Sequence, residues 1–121
     1  MKVQDLFEDD VYKVLSVNRL KPAAAVGTSK QGTVQASFDE LVNLFGNPIS
    51  HGPDHDTAHE WVLKFRVLNT NSFTGDVEPV IVTIYDRFNH ENPEEVTRWE
   101  VGGKNRTASW ILDDYLAQMR K

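Results

Sequence analysis

A chain of 121 residues with 40% apolar, 10% aromatic and 26% charged side chains has the balance of one globular domain, which excludes a fibre, a disordered tail and a bundle of membrane-spanning helices. Eighteen Asp and Glu against thirteen Lys and Arg leave a net charge of -5, which argues against a broad basic face for duplex nucleic acid. There is no cysteine, hence no thiolate nucleophile, zinc finger, iron–sulfur cluster or disulfide, and a chain this long buries roughly two-thirds of its unfolded surface without such staples.

The first ten residues are polar and acidic, without the basic stretch and apolar core of an export signal, and no apolar run is long enough to span a bilayer. A cytoplasmic protein without a membrane partner is therefore expected. Residues 6–20 read either as a helix, with Phe7, Val11, Val14 and Leu15 on one face, or as a strand through 11–15; Lys21-Pro22 ends either one. Residues 23–26 are small and apolar, and 32–36 suggest a short strand.

The clearest element follows. Ser37-Phe38-Asp39-Glu40 is a capping box, Phe38, Leu41, Val42 and Phe45 share a helical face, and Gly46 with Asn47-Pro48 stops the helix. Residues 60–68 switch to period two, with Trp61, Leu63, Phe65 and Val67 on one face and Glu60, Lys64 and Arg66 on the other. Residues 77–85 are rich in β-branched side chains, with Pro79 marking an edge or bulge, and should pair with 60–68 as a hairpin. A third strand is expected over 96–101, ended by Gly102-Gly103, and a final helix carries Ala108, Ile111, Leu112, Tyr115, Leu116 and Met119 as an apolar stripe, capped by Asn105 or Thr107. The expected fold class is α+β: an antiparallel meander sheet with two amphipathic helices on one face, in a single domain over residues 1–121. Repeats, linkers and the alternation of a doubly wound parallel sheet are absent.

Chemistry is sparsely signalled. His51, His55 and His59 are spaced by four, but Gly52-Pro53 breaks any helix that would align them, so the expectation is an exposed polar loop and no metal site. Residues 27–32 lack the Gly-Lys-Ser/Thr ending of a phosphate loop and read as a turn, with Ser29 and Lys30 as secondary contacts at most. No nucleophile–base–acid triad can be assembled, and Asp9-Asp10, Glu94-Glu95 and Asp113-Asp114 read as solvated surface, so no catalytic residue and no cofactor is assigned.

The turn before the last helix is different. Gly102, Gly103, Lys104, Asn105 and Arg106 join a strand to a helix, where two glycines can turn backbone amides to one point, the first helical turn leaves N–H groups unpaired, and Lys104 and Arg106 add positive charge. Cations are unfavourable at the positive end of a helix dipole unless an anion offsets them, so phosphate or carboxylate binding is weighed here against a plain basic connection. Tyr85 or Trp99 would stack on a base if the anion is part of a nucleotide; the competing expectation makes Trp61, Trp99 and Trp110 core anchors.

Residues 27–117 resemble a family of small phage and prophage proteins without an established activity. The resemblance rests on Thr28-Ser29-Lys30-Gln31-Gly32, on Ser37-Phe38-Asp39-Glu40-Leu41-Val42 running into Phe45-Gly46-Asn47-Pro48, on Glu60-Trp61, on Thr83-Ile84-Tyr85-Asp86, and on Trp99 with Val101-Gly102-Gly103. The chain departs from the family pattern in residues 51–59 and in Lys104-Asn105-Arg106. The resemblance implies a non-enzymatic anti-defence protein of the host cytoplasm, either a homo-oligomeric sponge for a nucleotide-like signal or an acidic inhibitor bound to a host defence protein.

Overall fold

The computed structural model describes residues 12–51, 57–69, 77–87 and 92–121. Strand β1 (Tyr12–Arg19) is followed by a 3-10 turn (Pro22–Ala25), β2 (Ser29–Gln35), α1 (Phe38–Phe45), a two-residue β3 (Ile49–Ser50), β4 (Thr57–Asn69), β5 (Val77–Arg87), a second 3-10 turn (Pro93–Glu95), β6 (Arg98–Gly103) and α2 (Thr107–Met119). The sheet runs β1-β4-β5-β6-β2, every pair antiparallel, with β3 also on β4. The α+β class holds: β4, β5 and β6 form the expected meander, and the N-terminal third supplies both edges. Of the two alternatives for residues 6–20, the strand is realised over Tyr12–Arg19, while Phe7 and Val11 lie outside the described residues. A register shift between Val14 and Ser16 leaves Leu15 in the bulge, 49% exposed.

Alternation divides the sheet into two faces. Trp61 pairs with Ile84, Leu63 with Val82, and Ile84 with Val101 on the inner face, where all are buried against Leu41 and Phe45 of α1 and Ala108, Ile111, Leu112 and Leu116 of α2. Period alone marks the inner-face positions, but two indole hydrogen bonds fix where α1 sits. Trp99 Nε1 donates to the Ala36 carbonyl at 2.9 Å, just before the helix, and Trp61 Nε1 donates to the Gly46 carbonyl at 2.8 Å, just after it. The two rings meet edge to face at 5.3 Å, with Phe38 6.0 Å from Trp61, so the core is an aromatic cluster with its polar handles spent on α1. Trp110 does not join it. Its position on α2 points directly away from the buried stripe, leaving it 58% exposed, and Met119, at the fraying end, is 49% exposed.

The caps of α1 are as the sequence implies. Ser37 accepts from the Glu40 N–H at 3.0 Å, and Gly46 takes φ +83° while its N–H closes on Val42. The Glu40 carboxylate also receives Arg120 from the end of α2, at 2.8 Å from both Nε and Nη2, and Arg120 donates to the Gln35 carbonyl at 2.7 Å. Arg120 holds the Glu40 carboxyl below its ordinary value of 4.5, first through that hydrogen bond and then through its charge, with the Ser37 backbone adding to it. A depressed carboxyl contributes stability that is present above its unfolded value and is lost as pH falls through its folded value. Asp113, pushed up by partial burial, acts in the opposite sense. Both partners of the Glu40–Arg120 pair are substantially solvated, so Arg120→Ala should cost no more than about 1 kcal/mol at pH 7. It should also flatten the acid-side loss of stability, as measured by urea unfolding at neutral and acid pH.

Candidate functional site

Beta-6 meets β5 only from Thr83 to Tyr85, so the earlier half of β5 forms a ladder with β4 alone. Pro79, which cannot donate to a ladder, lies in that half, opposite Arg66 of β4, matching its expected edge position. The chain leaving β6 then runs past this edge as Lys104 and Asn105 before entering α2. The mismatch in strand length creates a notch of about 490 Å³ lined by Lys64, Glu78, Pro79, Val80, Ile81, Lys104, Asn105 and Thr107.

A second cleft, of about 290 Å³, lies beside it on the outer face of the sheet, lined by Ala25, Thr28, Ser29, Thr57, Glu60, Thr83, Tyr85 and Gly102. It exists because the crossing from β1 to β2 lays the first 3-10 turn and Thr28 over β4 and β5; the same cover leaves the outward-facing Val62 1% exposed. Thr28 Oγ1 donates to the Ala25 carbonyl at 2.6 Å and pins that wall. Glu60 accepts from or pairs with His51 Nε2 at 3.0 Å, and Lys30 is engaged by Glu100 at 2.7 Å on the same face. A third cavity, beside α1, has Asp39, Glu40 and Met119 in its lining, a set that repels anions.

The turn singled out in the sequence is thus split among three places. Lys104 and Asn105 line the notch, Gly102 and Tyr85 line the outer cleft, and Arg106 is exposed at the start of α2 without lining either. Trp99 is a correction: at 0% exposure with its N–H bonded to Ala36, it offers no face for stacking. Gly103 is buried as well, and an added Cβ would stand 2.3 Å from that of Ala108, so this glycine serves the approach of α2 to the sheet. The two glycines also do not end β6 as expected; they are its last ladder positions, opposite Lys30 and Ser29, and neither has a positive φ that would form an anion nest.

The expected row of unpaired N–H groups on α2 is absent too. Asn105 Oδ1 accepts from Thr107 N at 3.0 Å, the Asn105 carbonyl accepts from Ala108 N, and the Arg106 carbonyl accepts from Ser109 N and Trp110 N. Asn105 therefore acts as the cap, and any anion in the notch is held by ammonium groups. Lys64 is the residue that sequence reasoning missed. Its outward position on β4 was legible, but only the register between strands brings it to the same notch as Lys104.

The histidines separate. His51 pairs with Glu60 on the outer face, whereas His59 Nδ1 lies 3.0 Å from Asp86 Oδ2 on the inner face, beside Phe38. Asp86, 2% exposed, also accepts from the N–H groups of Ala58 and His59 at 3.1 and 2.7 Å, so its buried carboxylate closes the end of the sheet. His55 lies outside the described residues. Among the described residues no helix is long and apolar enough to cross a membrane. Comparison with protein-family models, with curated proteins and with solved structures finds no match.

Proposed function

We propose that this is a binding protein, not an enzyme, which takes up a phosphate-bearing small molecule in the notch between β5 and the start of α2. The observation that carries the reading is the presence of Lys64 and Lys104, from a strand and from a distant turn, in the lining of one concave site whose 490 Å³ falls within the range typical of small-molecule pockets. The chain as a whole is acidic, at net charge -5, but the notch is locally basic: two ammonium groups line it and Glu78 on the rim offsets only one of them. Following the phage resemblance, the biological form of this activity is sequestration of a nucleotide immune signal in the host cytoplasm, and a homo-oligomer would cover the open side of the notch.

Charge-assisted hydrogen bonds contribute about 1.5–3 kcal/mol each when well made, and less at a solvated rim. Lys64→Ala with Lys104→Ala should therefore weaken pyrophosphate binding at least about tenfold in titration calorimetry, and the wild-type affinity should fall as salt rises. Equal binding by the two proteins, or none by either, would overturn the reading.

A second reading is favoured by Trp110. A tryptophan 58% exposed on the outermost line of α2, with Asp113 and Asp114 one turn on, suits an acidic inhibitor that seats one aromatic anchor in a basic groove of a defence protein. Its sign would be binding that survives Lys104→Ala with Arg106→Ala, is lost in Trp110→Ala and weakens as salt rises.

A further inference from the structure

Resting on the phosphate-binding reading, we infer that the outer cleft beside the notch holds the nucleoside half of the ligand, and that the molecule is a 5′-nucleotide whose base presents hydrogen-bond donors, as guanine does. The two cavities adjoin along β5. Ile81 bounds the notch and Thr83, the next residue on the same face, belongs to the cleft, a step of about 7 Å along a strand. This is the kind of separation that a ribose places between a base and its 5′-phosphate.

The chemistry of the cleft is opposite to that of the notch. No lysine or arginine lines it; its charged group is the Glu60 carboxylate, and Ser29 and Thr83 supply hydroxyls. A carboxylate repels a phosphate and attracts an edge of N–H donors, so Glu60, whose Oε1 also takes His51 Nε2 at 3.0 Å, turns the phosphate towards the lysines of the notch and draws the donor edge into the cleft. Guanine offers adjacent N–H donors on its Watson–Crick edge, whereas adenine presents a ring-nitrogen acceptor between its donor and the carboxylate. Tyr85, half-buried on the outer face, is the aromatic wall.

Gly102 lets Thr83 and Tyr85 close over its backbone and so sets the shape of the cleft. Its φ is not in the left-handed region, so the backbone does not require glycine, and α2 packs on the other face. An added Cβ would collide with Thr83 Oγ1 at 2.3 Å and press on the Ser29 carbonyl and Tyr85 Cε1 at 3.4 Å, so a larger residue here displaces the side chains that line the cleft. Thr83 is 2% exposed, and its hydroxyl forms part of the floor.

The test is titration calorimetry of the full chain with 5′-GMP, 5′-AMP, guanosine and inorganic phosphate. The wild type should bind 5′-GMP at least about tenfold tighter than either phosphate or 5′-AMP. Gly102→Val should bring 5′-GMP down to the level of phosphate without changing phosphate binding, and Glu60→Gln should narrow the preference over 5′-AMP. If Gly102→Val fails to fold by circular dichroism, Tyr85→Leu, which removes the outward-facing ring, replaces it with the same expected loss. Equal affinity for phosphate and 5′-GMP in the wild type would overturn the inference while leaving the phosphate site standing. Equal affinity for 5′-GMP and 5′-AMP would overturn the donor-edge assignment, and no binding of any probe would overturn both.

Discussion

Trp99→Ala should leave a chain that does not fold at room temperature. Truncating a fully buried tryptophan costs about 3–5 kcal/mol through lost burial and the cavity left behind. The Ala36 carbonyl loses its indole donor at the same time, which adds about 1 kcal/mol or more for a buried acceptor. Trp61 would lose its edge-to-face partner at 5.3 Å, and Phe38 its second contact, at 6.3 Å. The sum is comparable with the total stability of a domain of this size, about 5–15 kcal/mol. Trp99→Phe keeps most of the volume and isolates the hydrogen bond, so it should fold with a stability lower by about 1–3 kcal/mol in urea unfolding. Because the ring is fully buried and lines none of the three cavities described above, Trp99→Phe should bind pyrophosphate as the wild type does; a change in affinity would restore Trp99 to the ligand site.

Gly103→Ala should be clearly damaging, and Gly102→Ala a mild change, although the two residues are adjacent and chemically identical. At Gly103 the new Cβ would meet the Ala108 Cβ at 2.3 Å and the Ile81 carbonyl at 3.2 Å, both fixed to backbone, so α2 must move away from the sheet. Overpacking of this kind costs about 1–3 kcal/mol, and more where a whole helix must shift. At Gly102 the obstacle is the Thr83 hydroxyl, the end of a side chain that can rotate. Thermal unfolding should show Gly103→Ala several degrees or more below the wild type and Gly102→Ala within a few degrees of it. Two equal shifts would contradict the assignment of Gly103 to the inner face and Gly102 to the outer.

Much of the fold was legible because it is written in short-range pattern. Ser37 and Gly46 mark both ends of α1, and the alternation from Trp61 to Val67 names the inner face of β4 without reference to any other element. The edges were harder: residues 12–19 pair with β4 rather than with their neighbour β2, and no local signal distinguishes that strand from a helix with Val14 and Leu15 on one face. Trp110 falls outside the apolar stripe of α2, so its exposure could have been read from helical spacing had its identity as a tryptophan not argued for burial. The site was only half legible. The basic turn was visible, but whether glycines at 102 and 103 make a nest, a floor or a close helix contact depends on which face each Cα presents, and that follows from the β5–β6 and β2–β6 registers. Lys64 joins Lys104 only because β6 is shorter than β5, which no spacing along the chain reveals.

The central claim is that the notch and the cleft beside it form the ligand site. Its most direct test is a titration of the isotope-labelled full chain with pyrophosphate and then 5′-GMP, followed by amide chemical shifts. Pyrophosphate should perturb amides around Lys64, Ile81 and Lys104 to Thr107, and 5′-GMP should extend the changes to Thr83, Tyr85 and Gly102. Perturbations centred on Trp110 and Asp114, or none at saturating ligand, would contradict the account.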